Sequence, residues 1–196
     1  MNANGIISKR NQYSSEKGLD KILENNFDDL TRIEIEIIVE QIKHLNAGIK
    51  KMELEINQYG KQLNGFENLV SIKGIGPKSA ALLLSIIGNI NDFENEKKLT
   101  AYFGLAPRLK QSNDQIHYGR ITKTGNKLGR STLVQCALIT KKYSAYFADF
   151  YSRVKKNVGT GKAIIATARK LLVLIFHTLK ENWIFIDFPN FKLRSI

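Results

Sequence analysis

The sequence predicts a mainly α-helical fold on three observations. Apolar residues at Ile35, Ile38, Ile42, Leu45, Ile49, Met52, Ile56, Tyr59 and Leu63 recur at alternating spacings of three and four. That is an a/d heptad seam, and it reads as a coiled-coil helix. Ser71–Leu84, SIKGIGPKSAALLL, sets a Gly-Ile-Gly bend directly before a strong helix, as in a helix-hairpin-helix. After it the apolar residues keep helical spacing except between Gly104 and Thr124, where turn residues cluster in a basic loop or short hairpin.

Taken in order, residues 1–18 are polar and aperiodic and are expected to be disordered. Residues 19–64 form the coiled-coil helix, ended by Asn64-Gly65. One helix cannot bury such a seam alone. It pairs with a second copy or a partner, or it packs on the helices that follow; pairing is favoured because no equally long heptad partner appears later. Residues 65–182 form the helical domain. Phe66–Ile72 is a short helix leading into Gly74-Ile75-Gly76, where glycine permits positive φ or close backbone approach. Pro77 opens the next helix, where its missing N–H costs nothing. Ala80, Ala81, Leu83, Leu84 and Ile87 give that helix an apolar face. The backbone N–H groups of Gly74, Gly76 and Lys78 suit a phosphate there, with Lys73 and Lys78 flanking the bend.

Asn95 caps a helix to Phe103, with Leu99, Tyr102 and Phe103 expected inward. Gln115–Thr122 is a candidate strand. A helix from Asn126 to Tyr143 has Leu128, Leu133, Val134, Ala137 and Leu138 as core positions. Two more follow, Ala145–Lys156 and Lys162–Asn182, separated by Gly159–Gly161. Residues 183–196 are a tail, apolar then basic.

Charge is unevenly placed. Residues 1–64 carry nine Lys/Arg and ten Asp/Glu, whereas residues 65–196 carry twenty-one and eight. The whole excess of the +12 chain therefore sits in the helical domain, which favours a polyanion such as nucleic acid. Leu105–Ser131 holds Arg108, Lys110, Arg120, Lys123, Lys127 and Arg130 against Asp114 alone. Lys141–Lys180 adds nine Lys/Arg and one acid. A single cysteine, Cys136, excludes an internal disulfide framework and fits a reducing, cytoplasmic setting. The longest apolar run, Leu171–Phe176, is too short to span a bilayer, so no membrane is expected.

The stretches SIKGIGPKSAALLLSIIGNINDF, KKLTAYFGLAPRLKQS, GRITKTGNKLGRSTLVQCAL and GKAIIATARKLL together resemble the C-terminal domain of insertion-sequence transposases of the 110/116/902 type. These are bridge-RNA-guided DEDD/serine recombinases. The resemblance runs from Leu69 to Leu172 and is most specific at GLAPR, the serine four residues on, and GN-x-x-x-R. It implies DNA as partner, a guide RNA as a further one, and Ser112 as the nucleophile on a DNA phosphodiester. It also makes Arg108, Lys110, Arg120, Lys123, Lys127 and Arg130 phosphate clamps, and His117 either a proton-transfer aid or a surface histidine. Asn113 stands where the family has glycine; Asn tolerates left-handed angles better than most residues. The family's RNase-H-like domain, whose four acids bind magnesium, finds no counterpart in residues 1–64, so no metal or cofactor is expected in this chain and recombination by it alone is expected to be nearly nil. A non-catalytic DNA- or RNA-binding assembly module stands beside this reading, as does an assembly-only remnant.

Overall fold

A computed structural model describes residue 13, residues 15–112 and residues 115–187, without the side chains of 109–112 and 115–118. The mainly helical class holds. The chain divides into two compact units, Met1–Glu55 and Ile56–Ile196.

In the first unit, α1 is Glu16–Leu23, and α2, Asp29–Gly60, starts here and runs to the unit boundary and past it. This corrects the expected single helix over residues 19–64, which instead starts at Glu16 and is broken between Leu23 and Asp29; the disorder expected for residues 1–18 falls mostly outside the described residues. Ser15 caps α1 by accepting from the Gly18 N–H, so the helix starts at Glu16. Asn25 stops it by donating to the carbonyls of Lys21 and Ile22 at 3.1 and 2.9 Å. Asp28 restarts the chain as α2, accepting from the Thr31 N–H at 3.0 Å. Leu19 and Ile22 of α1 then bury against Val39, with Ile35 and Phe27 alongside. Lys43–Asp20 (2.6 Å) and Lys50–Glu16 (2.5 Å) pin the two helices from the solvent side. The Lys50 contact holds the Glu16 carboxyl below its ordinary value. The heptad seam stays open: Leu45 is 63% and Met52 62% exposed.

The second unit holds the main core. Gly65 (φ 86°) starts α3, Phe66–Val70; a Cβ there would meet Leu179. The Gly74–Gly76 bend leads into α4, Pro77–Ile87, stopped by Gly88 at φ 65°. After a single 3-10 turn comes α5, Glu96–Tyr102, capped as expected by Asn95, whose side chain accepts from the N–H groups of Lys97 and Lys98. Strands β1, Pro107–Ser112, and β2, Gln115–Ile121, pair antiparallel. α6 is Lys127–Tyr143 and α7 is Ala145–Lys180. Non-helical Gly159 (φ 80°, ψ 171°) splits α7 where the sequence places a break between two helices.

Leu69, Ile72, Leu83, Leu99, Phe103, Leu133, Leu171, Leu172 and Ile175 are fully buried in one cluster. Aliphatic burial on this scale, roughly 25 cal/mol per Å² of apolar surface, is what holds these helices together. Three expected core residues lie outside it, among them the half-buried Leu138. Leu128, in the first turn of α6, is 60% exposed, and Tyr102 is 48% exposed with its hydroxyl donating to the Ile86 carbonyl. Cys136 is buried, and burial pushes its thiol pKa up.

The chain after α7 crosses α3. The Asn68 amide donates to Asn182 Oδ1 (3.1 Å) and to the Trp183 carbonyl (2.6 Å). The Phe185 N–H donates to Ser71 Oγ at 2.7 Å, and Ser144 Oγ donates to Asp187 Oδ1 at 2.9 Å. Among the described residues no helix is long and apolar enough to cross a membrane.

Candidate functional site

The expected site residues fall into two groups, one toward each end of α6. The first is the Gly74–Gly76 bend. Gly74 has φ 107°, and a Cβ on it would stand 2.6 Å from the Thr140 backbone nitrogen and 2.9 Å from its Cα. Both reasons for glycine, positive φ and close approach, therefore apply at once. Ile75 is buried and its N–H donates to the Ile72 carbonyl at 2.9 Å, which closes the turn. Gly76 is exposed with open space above it, and the side chains of Lys73 and Lys78 are exposed on either side. The bend thus turns one face into α6 and the other, cationic, to solvent.

The second group surrounds Gly104. The Thr122 N–H donates to the Ala106 carbonyl (2.9 Å) and the Lys123 N–H to the Gly104 carbonyl (3.1 Å). These bonds dock the Lys123–Asn126 loop onto the end of α5. Gly125 is so close to the Tyr102 carbonyl that no side chain fits there. Lys123 takes a left-handed φ of 58°, which few residues adopt without strain. Its side chain, like those of Arg120 and Lys127, is exposed.

Arg130 differs from its neighbours. It is half-buried, and its Nη1 donates to the carbonyls of Phe103 (3.2 Å) and Gly125 (3.3 Å). One edge of that guanidinium therefore ties α5 to the loop before α6. Arg108 is exposed and reaches the Thr122 carbonyl at 3.4 Å. It lies at an irregularity in the hairpin: Pro107 pairs with Ile121, but Leu109 pairs with Tyr118, leaving Arg108 opposite Gly119 and Arg120. Such a bulge bends the ribbon and re-aims its side chains.

Lys110 and Ser112 lie on β1, with backbone partners His117 and Gln115. Their side chains, and Asn113 with Asp114, lie outside the described residues. Ser112 is thereby fixed only as the last residue of β1.

α6 carries both groups. From Lys127 to Thr140 the helix rises about 20 Å at 1.5 Å per residue. The bend and the loop thus sit about 20 Å apart on one rigid element, rather than side by side. Among the described residues no cluster of three His, Cys, Asp or Glu side chains is placed to hold a metal ion. Sequence reasoning missed Thr140, which fixes Gly74, and it counted Arg130 with the solvent-facing cations. The first carries no signal, because nothing in a threonine's flanks says what will approach it. The second had one, its GN-x-x-x-R spacing from a helix cap.

Fold and surface together define a basic, helical domain in which two cationic groups are held at opposite ends of one helix, α6. The chain carries, at residues 66–152, a domain of the transposase IS116/IS110/IS902 family. It is 35% identical over 151 residues to pilin gene-inverting proteins of Moraxella lacunata and Moraxella bovis, covering 73% of this chain and 47% of each relative. It is 25% identical over 146 residues to the transposase for insertion sequence element IS1111A of Coxiella burnetii, covering 72% of this chain and 40% of that protein. The chain thus spans less than half the length of these relatives.

Proposed function

We propose that the chain is the DNA-binding, serine-bearing part of an insertion-sequence transposase, with Ser112 as nucleophile. One observation supports this above the others: in the family-matched domain, the exposed cations of the bend and of the Lys123–Lys127 loop are held at opposite ends of α6, about 20 Å apart along its axis. That distance spans about six base pairs at 3.4 Å per pair. Lysines at that spacing suit contact with phosphates about half a helical turn apart and need read no base.

In the reaction, Ser112 Oγ would attack a backbone phosphorus. An Oγ–P bond forms as the bond to one deoxyribose oxygen breaks, and the leaving oxygen takes up a proton. The hydroxyl proton passes to a base, for which His117 is the candidate in β2. The phosphoserine link keeps the bond energy for religation to a second strand. Arg108, Arg120, Lys123 and Lys127 would offset the charge on phosphorus, as would Lys110. Arg130 would contribute through the loop it holds.

By itself the chain is expected to bind duplex DNA with little sequence preference and to exchange strands hardly at all, because it matches less than half of the length of its relatives. Anisotropy titration of a labelled duplex should give a Kd on the order of 10⁻⁶ M, weakening steeply with salt. Absence of binding at 50 mM salt would sink the proposal. Chemistry is tested with an RNase-H-like half supplied in trans, magnesium and a guide RNA. Denaturant-resistant labelling of the chain by radioactive DNA should appear, and Ser112→Ala should abolish it. Labelling that persists in Ser112→Ala refutes the nucleophile.

The open seam of α2 favours an assembly role as well. Ile38, Leu45, Ile49 and Met52 are each more than half exposed, a contiguous stripe of the kind that pairs. A second copy of this chain is the proposed partner. Sedimentation of the full chain should show a dimer or larger species, reduced to monomer by Leu45→Lys with Met52→Lys. A wild-type monomer at 50 μM would refute it.

A further inference from the structure

The residues Lys155–Lys162, KKNVGTGK, lie outside the domain matched at residues 66–152 and outside both cationic groups described above. All eight are exposed. They surround Gly159, where φ 80° and ψ 171° turn the chain within α7. Lys170 Nζ lies 5.0 Å from the Tyr146 ring centre and 4.9 Å from that of Phe150, so the second half of α7 returns alongside the first. The bend is therefore the tip of a helical hairpin.

The tip is cationic without compensation. Lys155, Lys156 and Lys162 stand within eight residues. The nearest acid before them, Asp149, is engaged by Arg153 at 2.8 Å. Among the described residues no carboxylate pairs with any of the three lysines. Packing does not account for the glycines. A Cβ on Gly159 or Gly161 would meet nothing within 4 Å. Gly161 has no positive φ, and in a helix glycine is about 1 kcal/mol worse than alanine. A backbone left bare beside three lysines allows a close approach from outside.

We propose that this tip is a further contact for the duplex DNA backbone, taking phosphates in addition to those at the bend and the loop. The inference rests on the DNA-binding reading above. Duplex DNA fits better than single-stranded RNA, which is gripped largely by stacking on open aromatic faces. The tip has no aromatic residue. The rings beside it are covered, Tyr151 by Lys141 Nζ at 3.8 Å and Tyr146 and Phe150 by Lys170.

The test uses the full chain and a labelled 30-base-pair duplex, titrated from 50 to 200 mM salt. The triple variant Lys155→Gln, Lys156→Gln, Lys162→Gln should lose about tenfold in affinity, and its slope of log K against log salt should fall by about 2 to 3. Arginine at the same three positions should restore both. A control removing equal charge from exposed positions elsewhere, Lys61→Gln, Lys97→Gln and Lys98→Gln, should change the slope by less than 1. Failure of the wild type to bind duplex overturns the DNA reading and this one with it. Wild-type binding with an unchanged triple variant overturns the tip alone. So does a triple variant that loses only single-stranded RNA, or a control that falls as far.

Discussion

Two Gly-x-Gly corners in this chain look alike in sequence and differ in what surrounds them. At Gly74-Ile75-Gly76 the first glycine is wedged against the backbone of Thr140, and Ile75 is buried. At Gly159-Thr160-Gly161 both glycines face open space and every neighbour is exposed. Both first glycines have positive φ, 107° and 80°. Conformation alone therefore cannot separate them; contact does. The first corner is fixed by the core and presents one cationic face. The second is held only by the two helix halves that meet there.

The sharpest break in this comparison is Gly74→Ala. The new methyl would overlap the Thr140 nitrogen and Cα at 2.6 and 2.9 Å, and backbone cannot swing aside as a side chain can. With the φ penalty added, the loss should reach about 3 kcal/mol or more. Urea unfolding followed by circular dichroism measures it. Shortening Thr140 to Ala removes its Oγ1, the nearest atom to the new methyl, but should restore little, because the overlaps with main chain stay. Full rescue by Thr140→Ala would mean that the bend rests on α6 through the side chain alone.

The cations divide in the same way as the glycines. Arg130→Ala removes two bonds from a charged donor to the Phe103 and Gly125 carbonyls. It should destabilise by about 2 kcal/mol. Lys127→Ala, at an exposed position three residues earlier, should stay within about 0.5 kcal/mol and weaken DNA binding instead. Equal stability losses at the two positions would erase the distinction between a cation spent on the fold and one kept for a ligand.

Much of this was legible beforehand. The helix boundaries around α4 and α5 follow from Pro77, Gly88 and Asn95, since caps and breakers act through their own backbone. The break in α7 is signalled by Gly159 for the same reason. Where a residue's role depends on something distant, the sequence is silent. Ser144 caps α7 locally, but its bond to Asp187 spans 43 residues. The fold-back of α1 was missed because Leu19 and Ile22 are too few to form a visible stripe, and only their burial with Val39 shows it. Leu128 errs in the opposite direction. It fits the helical period yet lies in the first turn of α6, and periodicity cannot say where along a helix the core begins. Of the site, the exposed placement of Lys73 and Lys78 on either side of the bend was readable from the glycines they flank. The roughly 20 Å between the two cationic groups was not, because it depends on which helix carries both.

The smallest expected effects test the second corner. Gly159→Ala places a side chain at φ 80°, ψ 171°, a region almost confined to glycine, and should cost about 1 to 3 kcal/mol with no clash involved. Gly161→Ala meets neither strain nor neighbours, so it should stabilise by about 0.5 to 1 kcal/mol through helix propensity. The opposite signs two residues apart separate backbone strain from packing within one turn. If Gly161→Ala also stabilises while weakening duplex binding more than twofold, its bare backbone serves the ligand. If it destabilises, some contact at the tip holds Gly161 in place, and the corner belongs with Gly74 after all.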